Sequence, residues 1–405
     1  MGQIYKMAFR AIGRNRRRSF FSALAISVGL ALLILMASVV EGEMGSAIDK
    51  AILLQSGHLQ VRAASYDENK SSLKWEDLVQ NPDQVTSQIA AFSQVEAATP
   101  RLYASGFLSK GDQSAGARIF GIEPESAANK PYKDGVISGN YLTADDREGV
   151  LVGKPLADKL HLSAGDQVNL SVNTANGDVV EQTFNVRGIY STGTYGFDSG
   201  TIFLPLAKAQ AITQTENHAS TIYVLLKDSA FTDSVANALT GTGLKILTWK
   251  NLNSLIVDWE ATAKSYMSLF YLIVLAITAS VIINTLIMSV YERTREIGIL
   301  SAIGMKGRRI MGIFLAESSL LAVGGVFMGI LLGLLSVYLF NINGFYIGNM
   351  GLSGMLVTDT IYARLTANNT VSLAIVTFIV TILAGLYPAV MASRMEPVEA
   401  LRAEK

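Results

Sequence analysis

Residues Tyr266–Val290 read YMSLFYLIVLAITASVIINTLIMSV, with no Asp, Glu, Lys or Arg. At a rise of about 1.5 Å per residue, roughly 20 apolar residues cross the ~30 Å hydrocarbon core of a bilayer. The run is apolar on every side, which separates a lipid-facing helix from the one-sided helix of a soluble core. Three further runs meet the same test, at residues 20–40, 313–340 and 371–392. None of the four contains Lys or Arg, and their only acidic residue is Glu317. The chain is therefore expected to be an α-helical membrane protein with four transmembrane helices. The first run has a basic flank, but it exceeds the roughly 7–15 residues of a signal h-region, so it is expected to stay as an uncleaved anchor.

Composition agrees with this reading and narrows the function. Of 405 residues, 50% are hydrophobic and only 16% charged, against about 25% charged in soluble proteins. Net charge is zero, with 33 basic and 33 acidic residues, so the basic surplus of a nucleic-acid-binding protein is missing. There is no cysteine, and His58, His161 and His218 stand far apart without HExxH spacing. Disulfides, thiol chemistry and a zinc hydrolase are thereby disfavoured.

Orientation follows from the basic residues in the short flanks. Lys6, Arg10, Arg14, Arg16, Arg17 and Arg18 precede the first run, and Arg293, Arg295, Lys306, Arg308 and Arg309 lie between the second and third. Arg394, Arg402 and Lys405 follow the fourth, whereas residues 341–370 hold only Arg364. The expected layout is a cytoplasmic basic segment (1–19), a span (20–40) and a large extracytoplasmic domain (41–265). A second span (266–290), a cytoplasmic loop (291–312) and a third span (313–340) come next. A short external loop (341–370), a fourth span (371–392) and a cytoplasmic tail (393–405) complete it.

The external segment has mixed α+β patterning. Strand signals fall at residues 58–62, 101–108, 117–121, 150–152, 167–172, 182–189, 201–204, 221–226 and 244–248, and helical ones at 75–92 and 231–239. Asn176-Gly177 between two alternating runs predicts a hairpin. The pattern reads as βαβ-like halves at both ends with a β-rich part, about 135–205, between them. Residues 249–264 carry no Gly or Pro and are expected to form a rigid helix running straight into the second span.

The loop after the second span reads Glu292-Arg293-Thr294-Arg295-Glu296-Ile297-Gly298-Ile299-Leu300-Ser301-Ala302-Ile303-Gly304-Met305. Ile297, Leu300, Ile303 and Gly304 recur at helical spacing, so a short helix with a charged start and one apolar face is expected. That face suits either lipid or a groove on a cytoplasmic partner. Gly325, Gly329 and Gly333 are four apart, a spacing that lets two helices approach closely within one subunit or between two. Glu317 near the start of the third span is expected to snorkel to the interface. Asn284 in the second could hydrogen-bond across helices, and Pro388 is expected to kink the fourth.

No GxxxxGK[ST] phosphate loop and no GxSxG elbow occur; Gly153-Lys154 is followed by Pro155. The chain is not expected to hydrolyse ATP alone or to act as a hydrolase. The spans lack the polar residues of a wide aqueous pore.

With one span, a large external domain and three further spans, the chain resembles the ABC-transporter permeases of the MacB/LolC–LolE/FtsX group (type VII), without a fused ATPase domain. Glu292 to Gly304 resembles the coupling-helix signature of that group. Leu386-Tyr387-Pro388-Ala389 and Glu396-Pro397-Val398-Glu399-Ala400-Leu401-Arg402 resemble its ending, and Leu151 to Lys154, Gly165-Asp166 and Gly193 to Asp198 resemble LolE-like members.

The resemblance implies a porter-like lobe with a β-rich Sabre-like insert, and a permease working as a homodimer or a heterodimer with a paralogue. It also implies two copies of a cytoplasmic ABC ATPase, which would hold the ATP and Mg; this chain would bind no cofactor or metal and carry no catalytic residue. Glu292, Arg293, Thr294, Arg295, Glu296, Ile297, Gly298, Leu300, Ile303 and Gly304 would then couple to the ATPase. The implied activity is mechanotransmission for lipoprotein release or export of lipids and amphiphiles from the inner membrane. A MacB-like efflux permease with a periplasmic adaptor and an outer-membrane partner is an alternative. A receptor or scaffold without ATPase, including FtsX-like control of cell-wall hydrolases, is another.

Overall fold

The computed structural model describes residues 2–14, 16–67, 73–241, 243–347 and 359–396. The chain divides into two compact units: residues 1–43, 260–345 and 361–405, and residues 44–259 with 346–360.

The first unit holds most of each apolar helix, Arg16–Ala51, Ser254–Glu292, Gly307–Asn343 and Ala367–Ser393, numbered here first to fourth. Each contains one of the expected spans, and all four are long and apolar enough to cross a membrane. The first and third pack where glycine permits. A Cβ at Gly325 would stand 2.7 Å from the Ile26 Cβ, one at Gly329 3.0 Å from the Leu30 Cβ, and one at Gly333 2.9 Å from Ile34 Cδ1. The glycine row thus seats a helix of the same chain, and Ser27 Oγ donates across the contact to the Gly325 carbonyl at 3.0 Å. Gly385 of the fourth helix admits Ser318 of the third in the same way. Pro388 lies inside a helix that continues to Ser393.

The second unit is built on a ten-stranded sheet. Its strands are β1 (Leu59–Arg62), β2 (Val95–Lys110), β3 (Gln113–Ile122), β4 (Val136–Gly139) and β5 (Gly149–Gly153), then β6 (Gln167–Asn173), β7 (Val179–Tyr190), β8 (Thr201–Pro205), β9 (Thr221–Leu226) and β10 (Lys245–Thr248). The spatial order is β10-β1-β9-β2-β3-β8-β5-β7-β4, with β6 pairing β2 and β7. In the first four strands every pairing is antiparallel. Helix Pro82–Ala90 connects β1 to β2, and helix Thr232–Ala238 connects β9 to β10. This is a split βαβ lobe, and everything from β3 to β8 is inserted between its second and third strands. The long β2 pairs with strands of both parts, so the inserted strands share one sheet with the lobe.

Three local expectations fail for identifiable reasons. The helix expected at 75–92 starts only at Pro82, because Asn81 sits at φ 49° and Val79–Gln80 pairs with His218–Ala219. The straight helix expected at 249–264 breaks at Asn253, whose side chain and backbone N–H both bond the Trp249 carbonyl; the long helix begins at Ser254. Residues 341–370 are more than a connecting loop. Asp359 donates its backbone N–H to the Gly193 carbonyl at 3.2 Å, which ties this segment to the sheet unit. The family-like ending at residues 397–402 lies outside the described residues.

The first helix ends in a π-turn, Ile52–Ser56, closed by Gly57 at φ 65°. Helix ends leave carbonyls without partners, and here two buried tyrosines supply them. The Tyr223 hydroxyl bonds the Ile52 and Leu53 carbonyls at 2.7 and 2.9 Å, and the Tyr132 hydroxyl bonds that of Leu54 at 2.5 Å.

Candidate functional site

Past Glu292, which ends the second helix, Arg293 turns the chain and a nine-residue helix follows, Thr294–Ala302. Thr294 Oγ1 bonds back to the Val290 and Tyr291 carbonyls. At the far end Gly304 lies at φ 94°. The Met305 N–H reaches the Leu300 carbonyl and the Gly304 N–H that of Ser301, each at 3.0 Å. This closing arrangement needs a left-handed residue at Gly304.

The expected single apolar face is divided in two. Ile297 and Gly298 are buried, with Ile297 packed on Val290, Ile310, Phe314 and Ala389. Leu300 is half-buried. Ile303 lies past the last helical residue and is 80% exposed, alongside Ile299 at 45% and the exposed Arg295. The outward face is therefore Arg295, Ile299 and Ile303, and Ile297 anchors the helix to the bundle. Ile299 was missed because it falls outside the 297–300–303 repeat. The available signal was a second row at i, i+4, i+8: 295, 299 and 303.

Charged groups from three segments meet beside this helix. Arg14, at the end of helix Gly2–Arg14, grips Glu296 with both terminal nitrogens at 2.8 and 3.1 Å. Arg18 bonds Glu292 at 2.7 Å. Arg293 reaches Glu296 and Glu317, both at 3.3 Å, and its guanidinium stands 5.6 Å from the Phe314 ring. Glu317 is only 2% exposed, and Arg18 is its second cation at 4.0 Å. The expectation of snorkelling is corrected: Glu317 faces inward because two arginines meet it there. The Arg14 hydrogen bond, with help from Arg293, holds the Glu296 carboxyl below the usual carboxylate range despite partial desolvation. No local spacing signals that Arg14, Arg18 and Glu317, remote from one another in the chain, converge on one loop.

Asn284 is exposed on the outer side of the second helix, away from the bundle-facing Thr278, Ile282, Leu286 and Ser289. It shares that surface with Ile273, Ile277, Val281 and Met288. This helix is the least buried of the four. Among the described residues no group of His, Cys, Asp and Glu has the geometry of a metal site.

Comparison with known proteins identifies the two regions. Residues 19–242 match the MacB-like periplasmic core domain and residues 268–397 the FtsX-like permease C-terminal family. A lipoprotein-releasing system transmembrane protein LolC from Neisseria meningitidis is 22% identical, covering 98% of this chain and 97% of its own length. A macrolide export ATP-binding/permease protein MacB from Marinobacter nauticus is 26% identical over 98% of this chain, which spans about 60% of that relative. The solved periplasmic region of MacB from Actinobacillus actinomycetemcomitans covers 51% of this chain at 16% identity, with a TM-score of 0.36. Helices, loop and matched regions agree: the chain belongs to the MacB/LolC/FtsX-type family of ABC transporter permeases.

Proposed function

We propose that this permease relays ATP hydrolysis by a separate cytoplasmic ATPase, which holds the ATP and Mg, to its external unit. One observation carries the reading. Helix 294–302 is fixed to the bundle on one face by Ile297 and the arginine–glutamate cluster, and it leaves Arg295, Ile299 and Ile303 outward on the other. A push on that outward face would load the first, second and third apolar helices together through Arg18, Arg293 and Glu317. The first and second helices continue covalently into the sheet unit, at Gly57 and from Asn253.

The basic flanks favour the loop and both termini on the cytoplasmic side of an inner membrane and the sheet unit on the other. The apolar outer surface of the second helix, with Asn284 in lipid, suits a second permease copy or a paralogue. The cargo class that fits helices without a polar route is a lipoprotein, lipid or other amphiphile. The full-length match to a LolC relative favours lipoprotein release. The match to MacB keeps efflux with a periplasmic adaptor as the second reading.

The test is co-purification in mild detergent with ATPase subunits from the same cell, followed by an ATPase assay. Ile303→Glu is the informative variant, since its side chain is exposed and Gly304 would be strained by any replacement. Loss of ATPase association with unchanged thermal stability is expected. Full association and turnover in Ile303→Glu, or no ATPase partner for the folded parent, would overturn the reading.

A further inference from the structure

Helix Gly2–Arg14, which precedes the first apolar helix, has two unlike sides. At about 3.6 residues per turn, Tyr5, Ala8 and Phe9 fall on one side and Lys6, Arg10 and Arg14 on the other. Ala8 is fully buried, and the helix packs against the third apolar helix. At its end Arg14 grips Glu296. The helix is thereby fixed at two places, and the surface it leaves outward is a defined one.

That surface sets aromatic rings beside basic groups. Tyr5 and Phe9, one turn apart, are 49% and 70% exposed. Lys6 and Arg10, also one turn apart, are exposed next to them. The same order recurs where the first apolar helix begins: Arg16 and Arg17 are exposed, then Phe20 and Phe21, at 61% and 64%. One residue separates the two helices, and the first acidic residue of the chain is Glu41.

Aromatic side chains are favoured at the boundary between headgroups and hydrocarbon, and basic groups beside them hold an anionic surface. A single residue joins this helix to one long and apolar enough to cross the bilayer, so headgroups lie within its reach. Charge complementarity selects acidic lipid, since Lys6, Arg10, Arg16 and Arg17 are all exposed. Positive flanks orient any membrane helix; an aromatic row paired with a basic row, on a helix fixed through Ala8 and Arg14, goes beyond that. We propose that Tyr5, Lys6, Phe9 and Arg10 form a docking face for acidic phospholipids of the same bilayer. The rings sit at the hydrocarbon border and the two cations on headgroup phosphates. The face needs the chain in a membrane and does not depend on ATPase coupling.

The test uses the full chain in phosphatidylcholine nanodiscs. The chain has no cysteine, and a Cβ at Gly13, one turn after Phe9, would meet nothing within 4 Å. Gly13→Cys therefore carries a single bimane fluorophore beside the face. Phosphatidylglycerol and phosphatidylcholine, each with a nitroxide near the headgroup, are titrated in as quenchers. Each basic group near an anionic surface is worth about a fivefold gain, so phosphatidylglycerol should quench at a several-fold lower mole fraction, and high salt should erase the difference. Lys6→Gln with Arg10→Gln should abolish that preference. Arg308→Gln with Arg309→Gln, the same charge change at another exposed basic pair, should leave it. Phe9→Ser should reduce quenching by both lipids alike, because the ring sets depth and not charge preference. Equal quenching by the two lipids, an equal loss of preference in the two double variants, or no effect of Phe9→Ser would overturn the proposal. So would loss of lipid quenching when co-purified ATPase subunits are added, which would assign the face to that partner. Failure of the lipid reading leaves the coupling reading intact, since that one is tested at Ile303 by ATPase association.

Discussion

Replacing Arg293 with Met should destabilise the helical unit more than replacing Glu317 with Gln, although both break the same ion pair. Glu317 is 2% exposed and has two cations, Arg293 at 3.3 Å and Arg18 at 4.0 Å. Without Arg293 the buried carboxylate keeps only the longer contact. Removing one partner of a buried pair costs about 3–5 kcal/mol. Without the Glu317 charge the arginines lose less. Arg293 still reaches Glu296 at 3.3 Å and Arg18 still reaches Glu292 at 2.7 Å, and both are partly exposed, at 16% and 20%. A cost of about 1–2 kcal/mol is expected there. In the double variant neither buried charge remains, so the two costs should fall short of additivity by at least about 1 kcal/mol. The assay is equilibrium unfolding of the four proteins in mixed micelles of graded denaturing detergent, followed by intrinsic fluorescence. Equal costs, a larger cost for Glu317→Gln, or additivity within about 0.5 kcal/mol would refute the reasoning.

Other outcomes follow from individual positions. Gly325→Ala should destabilise by about 1–3 kcal/mol, since its Cβ would meet Ile26 at 2.7 Å. Neighbouring Gly324→Ala, with nothing within 4 Å of its Cβ, should be neutral or stabilising; the two are compared in the same unfolding assay. Asn284→Leu should weaken self-association in lipid by about 1 kcal/mol without shifting unfolding, read by energy transfer between labelled copies at varied lipid dilution. His58 should make the sheet unit acid-sensitive. Burial lowers its pKa, and its Nδ1 accepts from the Leu226 N–H at 3.1 Å, so the folded state holds the neutral ring. Stability should be full above the ordinary imidazole value and decline as pH falls from there through the depressed folded value. His58→Asn should flatten that decline in melting curves.

Much of this protein was legible in its residues because one solvent argument dominates. Long runs without charge, such as Tyr266–Val290, can only be buried in lipid or in a core, and four of them with basic flanks set the number and place of the helices. Period-two alternation and Asn176-Gly177 marked the hairpin of β6 and β7, with Gly177 at φ 88°. The loop signature at 292–304 located the candidate coupling helix. What these signals share is locality: each is decided within about 20 residues.

The tertiary structure decided which of several locally equivalent choices is realised. Ile297 and Ile299 are both aliphatic on one short helix, and only the surfaces of Val290, Ile310 and Phe314 determine that the first turns inward. Glu317 looked like an interfacial carboxylate until Arg18 and Arg293, 299 and 24 positions away in sequence number, were brought to it. Glycines at 325, 329 and 333 could have met any helix; they meet Ile26, Leu30 and Ile34 because those side chains fill the groove that missing Cβ atoms leave. Arg101 is an ordinary residue of an alternating strand in the sequence, and its enclosure by Asn129, Tyr132 and the Tyr223 ring exists only in three dimensions. Hydropathy is a property of single residues and survives in the unfolded chain. Partner choice depends on distances between remote segments, and those arise only on folding.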